Sequence, residues 1–292
     1  MPMPRIAVLL TCFNRRTTTL RCLERVFQLM PHVDVYLVDD QSTDGTASAV
    51  LSALPQVHLI TGTGGLFWNR GMYLAWERAK AGKYSHFLWL NDDVLLHDGC
   101  FAELLACSAL CEHQAIIAGI IESHEGTEVL YGGTSSAKRL LAPTGVMQAI
   151  TNMNGNVVLV PAAVFAKLGN LDPYFHHDLG DVDYGLRAQQ RGIRVLTTRI
   201  AAGSCDRNNT CRVRLWGSTL WARFKKLYSP LGNHPGINFY FRRRHYGWRN
   251  AAGYFVFIHL LNVAPDGFVR WAFGSKYVSG KNSISLPILP TA

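Results

Sequence analysis

The stretch His86-Phe87-Leu88-Trp89-Leu90-Asn91-Asp92-Asp93-Val94 is a hydrophobic run that ends in two adjacent carboxylates. Five largely apolar residues in succession read as a strand buried on both faces of a parallel sheet. Open α/β sheets place ligands beyond the C-terminal ends of their strands, so Asp92 and Asp93 would stand on that rim. Hard divalent cations prefer oxygen ligands, and Mg²⁺ or Mn²⁺ held by carboxylates can hold a phosphate in turn. The plainer reading is that both acids cap a helix opening near Asp98-Gly99. A second acidic set, Asp178, Asp181 and Asp183, surrounds the start of a helix predicted from about Asp181 to Arg191. Acids at a helix N-terminus are stabilised by its dipole, and a carboxylate can also serve as a general base. On residue types alone both readings stay open.

Three strand–loop–helix units precede the first acidic pair. Arg5-Ile6-Ala7-Val8-Leu9-Leu10 is a strand run followed by the loop Thr11-Cys12-Phe13-Asn14-Arg15-Arg16. The stretch from Thr17 to Met30 then carries Leu20, Leu23, Val26, Phe27 and Met30 at helical spacing. Val35-Tyr36-Leu37-Val38 ends in Asp39-Asp40-Gln41-Ser42-Thr43-Asp44-Gly45-Thr46. Val57-His58-Leu59-Ile60 leads to Gly62-Thr63-Gly64-Gly65 and a helix around Gly71 to Ala81. This alternation predicts a doubly wound α/β sheet whose polar loops meet on one rim. In the third loop, glycine lets backbone N–H groups approach a phosphate, and Arg70 offers a fork for its oxygens. A tight turn with Arg70 on the surface is the alternative. Further on, Asn156-Val157-Val158-Leu159-Val160 reads as a strand, Pro161 as the start of a short helix, and Leu171 to Asp178 as a loop.

Four segments in order resemble the family 2 glycosyltransferases of the GT-A fold, near their rhamnosyltransferase-like branch: Thr11-Cys12-Phe13-Asn14-Arg15, Val38 to Thr46, Asn91-Asp92-Asp93-Val94, and Gly180-Asp181-Val182-Asp183-Tyr184-Gly185-Leu186-Arg187. The resemblance implies a GT-A fold with a mixed, mostly parallel sheet flanked by helices. It implies inverting transfer of a sugar from a nucleotide diphosphate sugar, a dTDP- or UDP-sugar such as dTDP-rhamnose. The acceptor would be a hydroxyl of a glycan or lipid-linked glycan in surface polysaccharide assembly. Thr11, Phe13 and Arg15 would then line the nucleobase pocket, Asp39 would accept a hydrogen bond from the base, and Asp40 would sit beside it. Gly65, Asn69 and Arg70 fall where the family approaches the diphosphate and donor sugar. Asn91-Asp92-Asp93 takes the family's Asp-x-Asp place, with Asp93 as the Mg²⁺ or Mn²⁺ ligand and Asn91 and Asp92 toward the nucleotide sugar. Asn91 replaces the usual first acid, which lowers the charge, although an amide still hydrogen-bonds a hydroxyl. Asp181 aligns with the catalytic base. Asp178 and Asp183 come next, because Gly180 sits where many relatives have Glu. Many relatives also present a His ligand after the last core strand. Arg199 to Arg207 holds none, and Asp206 is the oxygen donor that would replace it. His176 and His177 read as hydrogen-bonded structure.

Composition bounds the class. With 292 residues, 48% hydrophobic and 17% charged, the chain can bury a sizeable core. No cleavable apolar leader precedes the first strand, and no run reaches about 18 apolar residues, so no spanning helix is expected. The seven cysteines form no CxxC pattern. Cys107 and Cys111 read as small core residues, in keeping with a reducing cytoplasm. Charge is divided unevenly. Residues 206–292 hold 13 Lys and Arg against Asp206 and Asp266, a net of +11, which leaves −2 for residues 1–205. The boundary separates a catalytic domain, residues 1–205, from a basic, aromatic-rich helical extension, residues 206–292. There Arg223-Phe224-Lys225-Lys226-Leu227-Tyr228 and Tyr240 to Arg249 precede Tyr254 to Leu261, which is too short to span a bilayer. Basic residues interleaved with Trp, Tyr and Phe suit a membrane interface, predicting peripheral contact at the inner face of the cell membrane. Nucleic-acid binders share this composition, but no nucleic-acid motif accompanies it and none is expected as a partner. A helical cap with solvated arginines, or with arginines facing a second copy in a homo-oligomer, is the other reading. Two further classes compete for the core. A sugar-nucleotide nucleotidyltransferase would need a glycine-rich basic loop after the first strand, where Thr11 to Arg15 has no glycine. A non-catalytic nucleotide-sugar or glycan-binding protein would keep the fold and tolerate Asn91.

Overall fold

The computed structural model describes residues 4–207, 212–274 and 276–277. The remainder of the predicted extension, residues 208–211, 275 and 278–292, lies outside the described residues. Two compact units, divided between Arg207 and Asn208, are taken in turn.

The first unit alternates strand and helix from its start. β1 (Ile6–Cys12), α1 (Arg16–Leu29), β2 (Asp34–Asp39), α2 (Thr46–Ala53), β3 (His58–Thr61), α3 (Phe67–Ala79) and β4 (His86–Leu90) follow one another. Then come β5 (Leu95–Leu96), α4 (Cys100–Leu110), β6 (Ala115–Glu122), β7 (Val129–Tyr131), β8 (Gly133–Thr134) and β9 (Asn152–Met153). β10 (Val157–Pro161), α5 (Ala162–Leu168), α6 (Gly180–Gln190) and β11 (Arg194–Ser204) complete it. The main sheet runs β3-β2-β1-β4-β10-β6-β11-β5, with β7 on β6, while β8 and β9 pair separately. β3, β2, β1 and β4 are parallel. The mixed half begins at β10, antiparallel to both β4 and β6.

Each central strand feeds two cores by the two-residue alternation of a strand. Val8, Leu10, Leu88, Leu90, Val157 and Leu159 meet Leu23 and Val26 of α1, Val50 of α2 and Leu104 of α4. Their neighbours Leu9, Phe87, Trp89, Val158 and Val160 meet Met72 and Trp76 of α3, Val164 of α5 and Tyr184 of α6. Helices therefore cover both faces, the doubly wound α/β arrangement that continuous apolar strands require. All five residues of β4 are buried. Asp92 and Asp93 do not cap α4, since β5 intervenes and Gly99, with φ +77°, opens that helix.

Two boundaries differ from the sequence pattern. α3 begins at Phe67, ahead of the predicted Gly71, because Asp40 accepts N–H bonds from Leu66 and Phe67 and so satisfies the helix start from another loop. Arg199 to Ser204 lie inside β11 and not after the last strand; register shifts between Thr197 and Ala201 and again before Gly203 break the alternation that would have marked the strand.

The second unit is helical: α7 (Leu220–Leu227), α8 (Pro235–Tyr246), α9 (Trp248–Val263) and α10 (Asp266–Phe273). Its centre is ionic. Arg214, fully buried, and Arg223 both pair with Asp266, at 2.5 and 3.0 Å. The same arginines donate to the carbonyls that end α9, Arg214 to Leu261 and Ala264 and Arg223 to Asn262 and Ala264. Among the described residues no helix is long and apolar enough to cross a membrane.

Candidate active site

The loops leaving β1 and β2 are stitched together. Asn14, at φ +51°, donates its backbone N–H to Ser42 Oγ and accepts from Thr43 N through Oδ1. Asp44 accepts from Arg16 N and Thr46 N, so one carboxylate serves the starts of both α1 and α2. Asp39 is buried at the end of β2. Its Oδ1 accepts from Ser42 N at 3.0 Å, while its Oδ2 takes no protein donor among the described residues. Phe13 stands out at 53% exposure. Thr11 faces the helix behind it, its Oγ1 occupying the space where a side chain at Gly71 would project.

Asp40 is committed to structure. Its two oxygens accept from Gly64 N at 2.7 Å, Leu66 N at 2.7 Å and Phe67 N at 3.2 Å. The amides of the glycine-rich loop thus close on a carboxylate of the protein itself, where the sequence led us to expect them free for a phosphate. Gly64 supplies the required φ of +82°, and a Cβ on Gly62 would lie 2.6 Å from Asp40 Oδ1. Gly65 is open, with nothing within 4 Å of a Cβ placed there. Asn69 is fully buried and donates Nδ2 to the carbonyls of Asp172 and Phe175. Its Oδ1 lies where any side chain at position 180 would have to go, which accounts for Gly180. Arg70 spends Nε on Pro173 O, at 2.9 Å, and keeps its terminal nitrogens.

Beyond β4, three consecutive side chains have three different partners. The Oδ1 of Asn91 accepts the indole N–H of Trp68 at 2.7 Å. Asp92 is buried, with Oδ2 on Thr19 Oγ1 and Oδ1 on Arg15 Nη1 at 2.8 Å. Asp93, its side chain 40% exposed, takes the same Arg15 nitrogen at 2.9 Å. Arg15 Nη1 is thus shared between the two acids. Among the described residues no three His, Cys, Asp or Glu side chains form a ready metal cage. The guanidinium nitrogen nevertheless marks a point where two carboxylate oxygens converge on one positive charge, and oxygen donors are what Mg²⁺ and Mn²⁺ take. On that observation the pair fits a divalent cation.

Asp181, in the first turn of α6, accepts from Gly155 N through Oδ2 at 2.9 Å and from Val182 N through Oδ1 at 2.8 Å. Burial pushes its carboxyl above the ordinary carboxylate range, against the pull of those N–H bonds. Gly155 is wedged between this acid and Trp68: a Cβ there would lie 2.5 Å from the indole and 3.1 Å from Asp181 Cβ. Trp68, Asn91, Gly155 and Asp181 thus form one packed group. Asp183 points elsewhere, fully buried and paired with Arg187 at 2.8 Å. Asp178 is half-buried on the loop before α6. Asp206 is almost wholly exposed, 3.7 Å from His124 Nε2. The Cys205 thiol beside it is pushed up to about 12, first by burial and then by the charges of Asp93 and Asp206. The sequence reading passed over Trp68 and Gly155. An aromatic inside a glycine-rich loop was the signal available for the first; the second shows no local signal.

Comparison with known proteins gives this arrangement a context. The family model for glycosyl transferase family 2 matches residues 7–164, just over half of the chain. No curated protein is similar enough in sequence to count as a match. Among solved structures, residues 1–349 of S. aureus TarS superpose with a TM-score of 0.56 at 11% identity, over 95% of this chain and 76% of that fragment. The mannosyltransferase PcManGT from Pyrobaculum calidifontis, in complex with GDP-Man and Mn²⁺, gives 0.53 at 16% identity, over 94% of this chain and 84% of that one. The UDP complex of the TarS fragment gives 0.53 at 13% identity, over 69% of this chain and 60% of the fragment. This chain spans only 37% of the longer TarS structure. At these identities the likeness is one of fold.

Proposed function

Because the chain belongs to glycosyl transferase family 2, we propose that it moves a sugar, with inversion, from a nucleotide diphosphate sugar to an acceptor hydroxyl. The observation that carries this reading is one rim of the sheet. It holds a buried Asp39 with a free oxygen, the paired acids Asp92 and Asp93, and an Asp181 carboxylate of raised proton affinity. Asp39 would accept from the base through Oδ2, with Thr11, Phe13 and Arg15 as the walls of that pocket. Asp40 and Asn69 act by holding the loop and α3 in place, Gly65 leaves room for the donor, and Arg70 offers its terminal nitrogens to the diphosphate. Asn91 and Asp92 complete the donor side. A divalent ion, Mg²⁺ or Mn²⁺, held by Asp93 with Asp92, and by Asp206 if it turns inward, would place positive charge beside the departing diphosphate.

Asp181 is the proposed base. The acceptor oxygen forms its bond to the anomeric carbon as the bond from that carbon to the diphosphate oxygen breaks. The acceptor proton passes to Asp181, and the electron pair leaves with the nucleotide diphosphate. The two backbone N–H bonds fix the orientation of the carboxylate, and its burial raises its affinity for that proton. Asp178 is second to it, and Asp183 third because Arg187 already holds it.

The donor is proposed to be a dTDP- or UDP-sugar, dTDP-rhamnose in the branch that the motifs resemble, and the acceptor a glycan or lipid-linked glycan of a surface polysaccharide. Residues 1–205 would carry catalysis. The basic extension, residues 206–292, would meet the acceptor or the inner membrane face.

Calorimetry with UDP, dTDP, GDP and CDP, in Mn²⁺ and in EDTA, tests the reading. One diphosphate should bind, and more tightly with metal. Asp181→Asn should keep that affinity and lower kcat by about 10²–10⁴-fold. Since the base must be deprotonated, wild-type kcat/KM should rise with pH through a value above the ordinary 3.8 of an aspartate. Absence of binding to all four nucleotides would favour a non-catalytic protein on this fold.

A further inference from the structure

The Asp92–Asp93 pair already has a cation. Arg15 Nη1 sits 2.8 Å from Asp92 Oδ1 and 2.9 Å from Asp93 Oδ2, a single nitrogen shared by two carboxylates. Its geometry differs from the usual bidentate fork, in which two nitrogens of one guanidinium meet two oxygens of one carboxylate. Here the remaining guanidinium nitrogens form no protein hydrogen bond among the described residues, and the Arg15 side chain is 47% exposed. Asp92 is otherwise anchored, its second oxygen on Thr19, and lies 5% exposed at the root of the loop. Arg15 is the N-cap of α1 and its carbonyl accepts Thr19 N, but its side chain makes no capping hydrogen bond, so the guanidinium can leave without unravelling the helix. The buried carboxylate is thus fixed by Thr19, the half-exposed Asp93 has Arg15 as its one side-chain partner among the described residues, and the positive group bridging them is the movable part.

We infer that Arg15 is the resident counter-cation of this pair and that a divalent cation reaches Asp92 and Asp93 only by displacing it. The inference rests on the proposed metal site and adds a residue that the site must evict. The point that touches both oxygens is taken by Nη1, and a second cation beside it would be repelled at short range in a partly desolvated setting. The exchange also balances charge. Two carboxylates with one guanidinium leave one negative charge, which the divalent ion removes. Arg15, once released, regains all of its donors at the rim where a diphosphate would lie.

The test titrates the full chain with Mn²⁺ alone, following free Mn²⁺ by its electron spin resonance signal. Arg15→Gln keeps an N–H donor for Asp92 and removes the charge, and it should bind Mn²⁺ at least tenfold more tightly than the wild type. Arg15→Lys keeps the charge and should stay within about threefold of it. Adding Asp93→Asn to Arg15→Gln should abolish the gain. Thermal unfolding gives a second readout, in which Mn²⁺ should raise the Tm of Arg15→Gln more than that of the wild type. Equal or weaker Mn²⁺ binding by Arg15→Gln overturns the exchange. UDP and dTDP binding in EDTA separates this from the transferase reading. Nucleotide binding with no gain in Mn²⁺ affinity overturns the exchange alone. A gain in Mn²⁺ affinity with no nucleotide bound under any condition supports the exchange and overturns the transferase reading.

Discussion

Asn69 and Gly180 show how closely the residues around the rim depend on one another. The Asn69 amide is buried and tied to two carbonyls, and its Oδ1 fills the space over Gly180. Gly180→Ala should therefore destabilise the protein by about 2 kcal/mol through overpacking. Combined with Asn69→Gly, the two changes should show a coupling of about 1 kcal/mol or more in a double-mutant cycle followed by urea unfolding. Strict additivity would mean that the contact does not determine the residue at position 180. The same pair explains what was legible at this scale. Asp39-Asp40 and Asn91 to Asp93 stand out in the sequence because short polar segments follow apolar runs, whereas Asp181 is singled out only by the resemblance to the family. The partners of those residues do not stand out. Asp40 turning to the amides of Gly64, Leu66 and Phe67, and Asn69 reaching Asp172 across 103 positions, are set by the packed fold and leave no local pattern.

At the scale of elements, β1, β4 and β10 were legible because strands buried on both faces are apolar nearly throughout, β2 because Val35 to Val38 form an apolar run, and α1 because its periodicity is intact. β11 was not, because its bulges scramble the alternation, and β5, β7, β8 and β9 are only two or three residues long. One buried element end carries a titration. His86 opens β4 with Nδ1 near Ser85 Oγ and Nε2 near Ser108 Oγ and His113 Nδ1. Burial, then the neighbouring His113, holds its pKa down to about 4 from 6.5. A depressed histidine favours the folded state while neutral, so this contribution is complete above the ordinary value of 6.5. It is lost as pH falls from 6.5 toward 4, because the unfolded chain takes up the proton first. The loss should reach on the order of 3 kcal/mol. Urea unfolding at pH 7 and pH 4.5 should show a marked drop for the wild type and a smaller one for His86→Leu. Equal drops would show that another group is responsible.

For the whole molecule, charge separates along the chain, with +11 in residues 206–292 and −2 in the rest. The described helices of the second unit also expose apolar side chains: Trp221 at 71%, Trp248 at 64%, Leu260 at 64% and Trp271 at 81%. Exposed indoles among arginines are suited to a lipid headgroup region. The full chain should sediment with vesicles containing anionic lipid at low salt and be released as ionic strength rises. Trp221→Ala with Trp271→Ala should reduce binding at least threefold. No sedimentation at low salt would reject the membrane proposal and leave the extension as a helical cap. Asp266 adds a topological point. It and Arg214 lie 52 positions apart, and their ion pair closes the chain between them into a ring. The described cysteines are all free thiols, so no covalent bridge secures any such ring. The second unit is in effect stapled by charge, and closing a ring of that length carries an entropy cost that increases only slowly with added residues. Insertions within the ring would then be tolerated far better than loss of either end. A chain cut between Arg214 and Asp266 opens the ring, whereas one ending after Phe273 retains it.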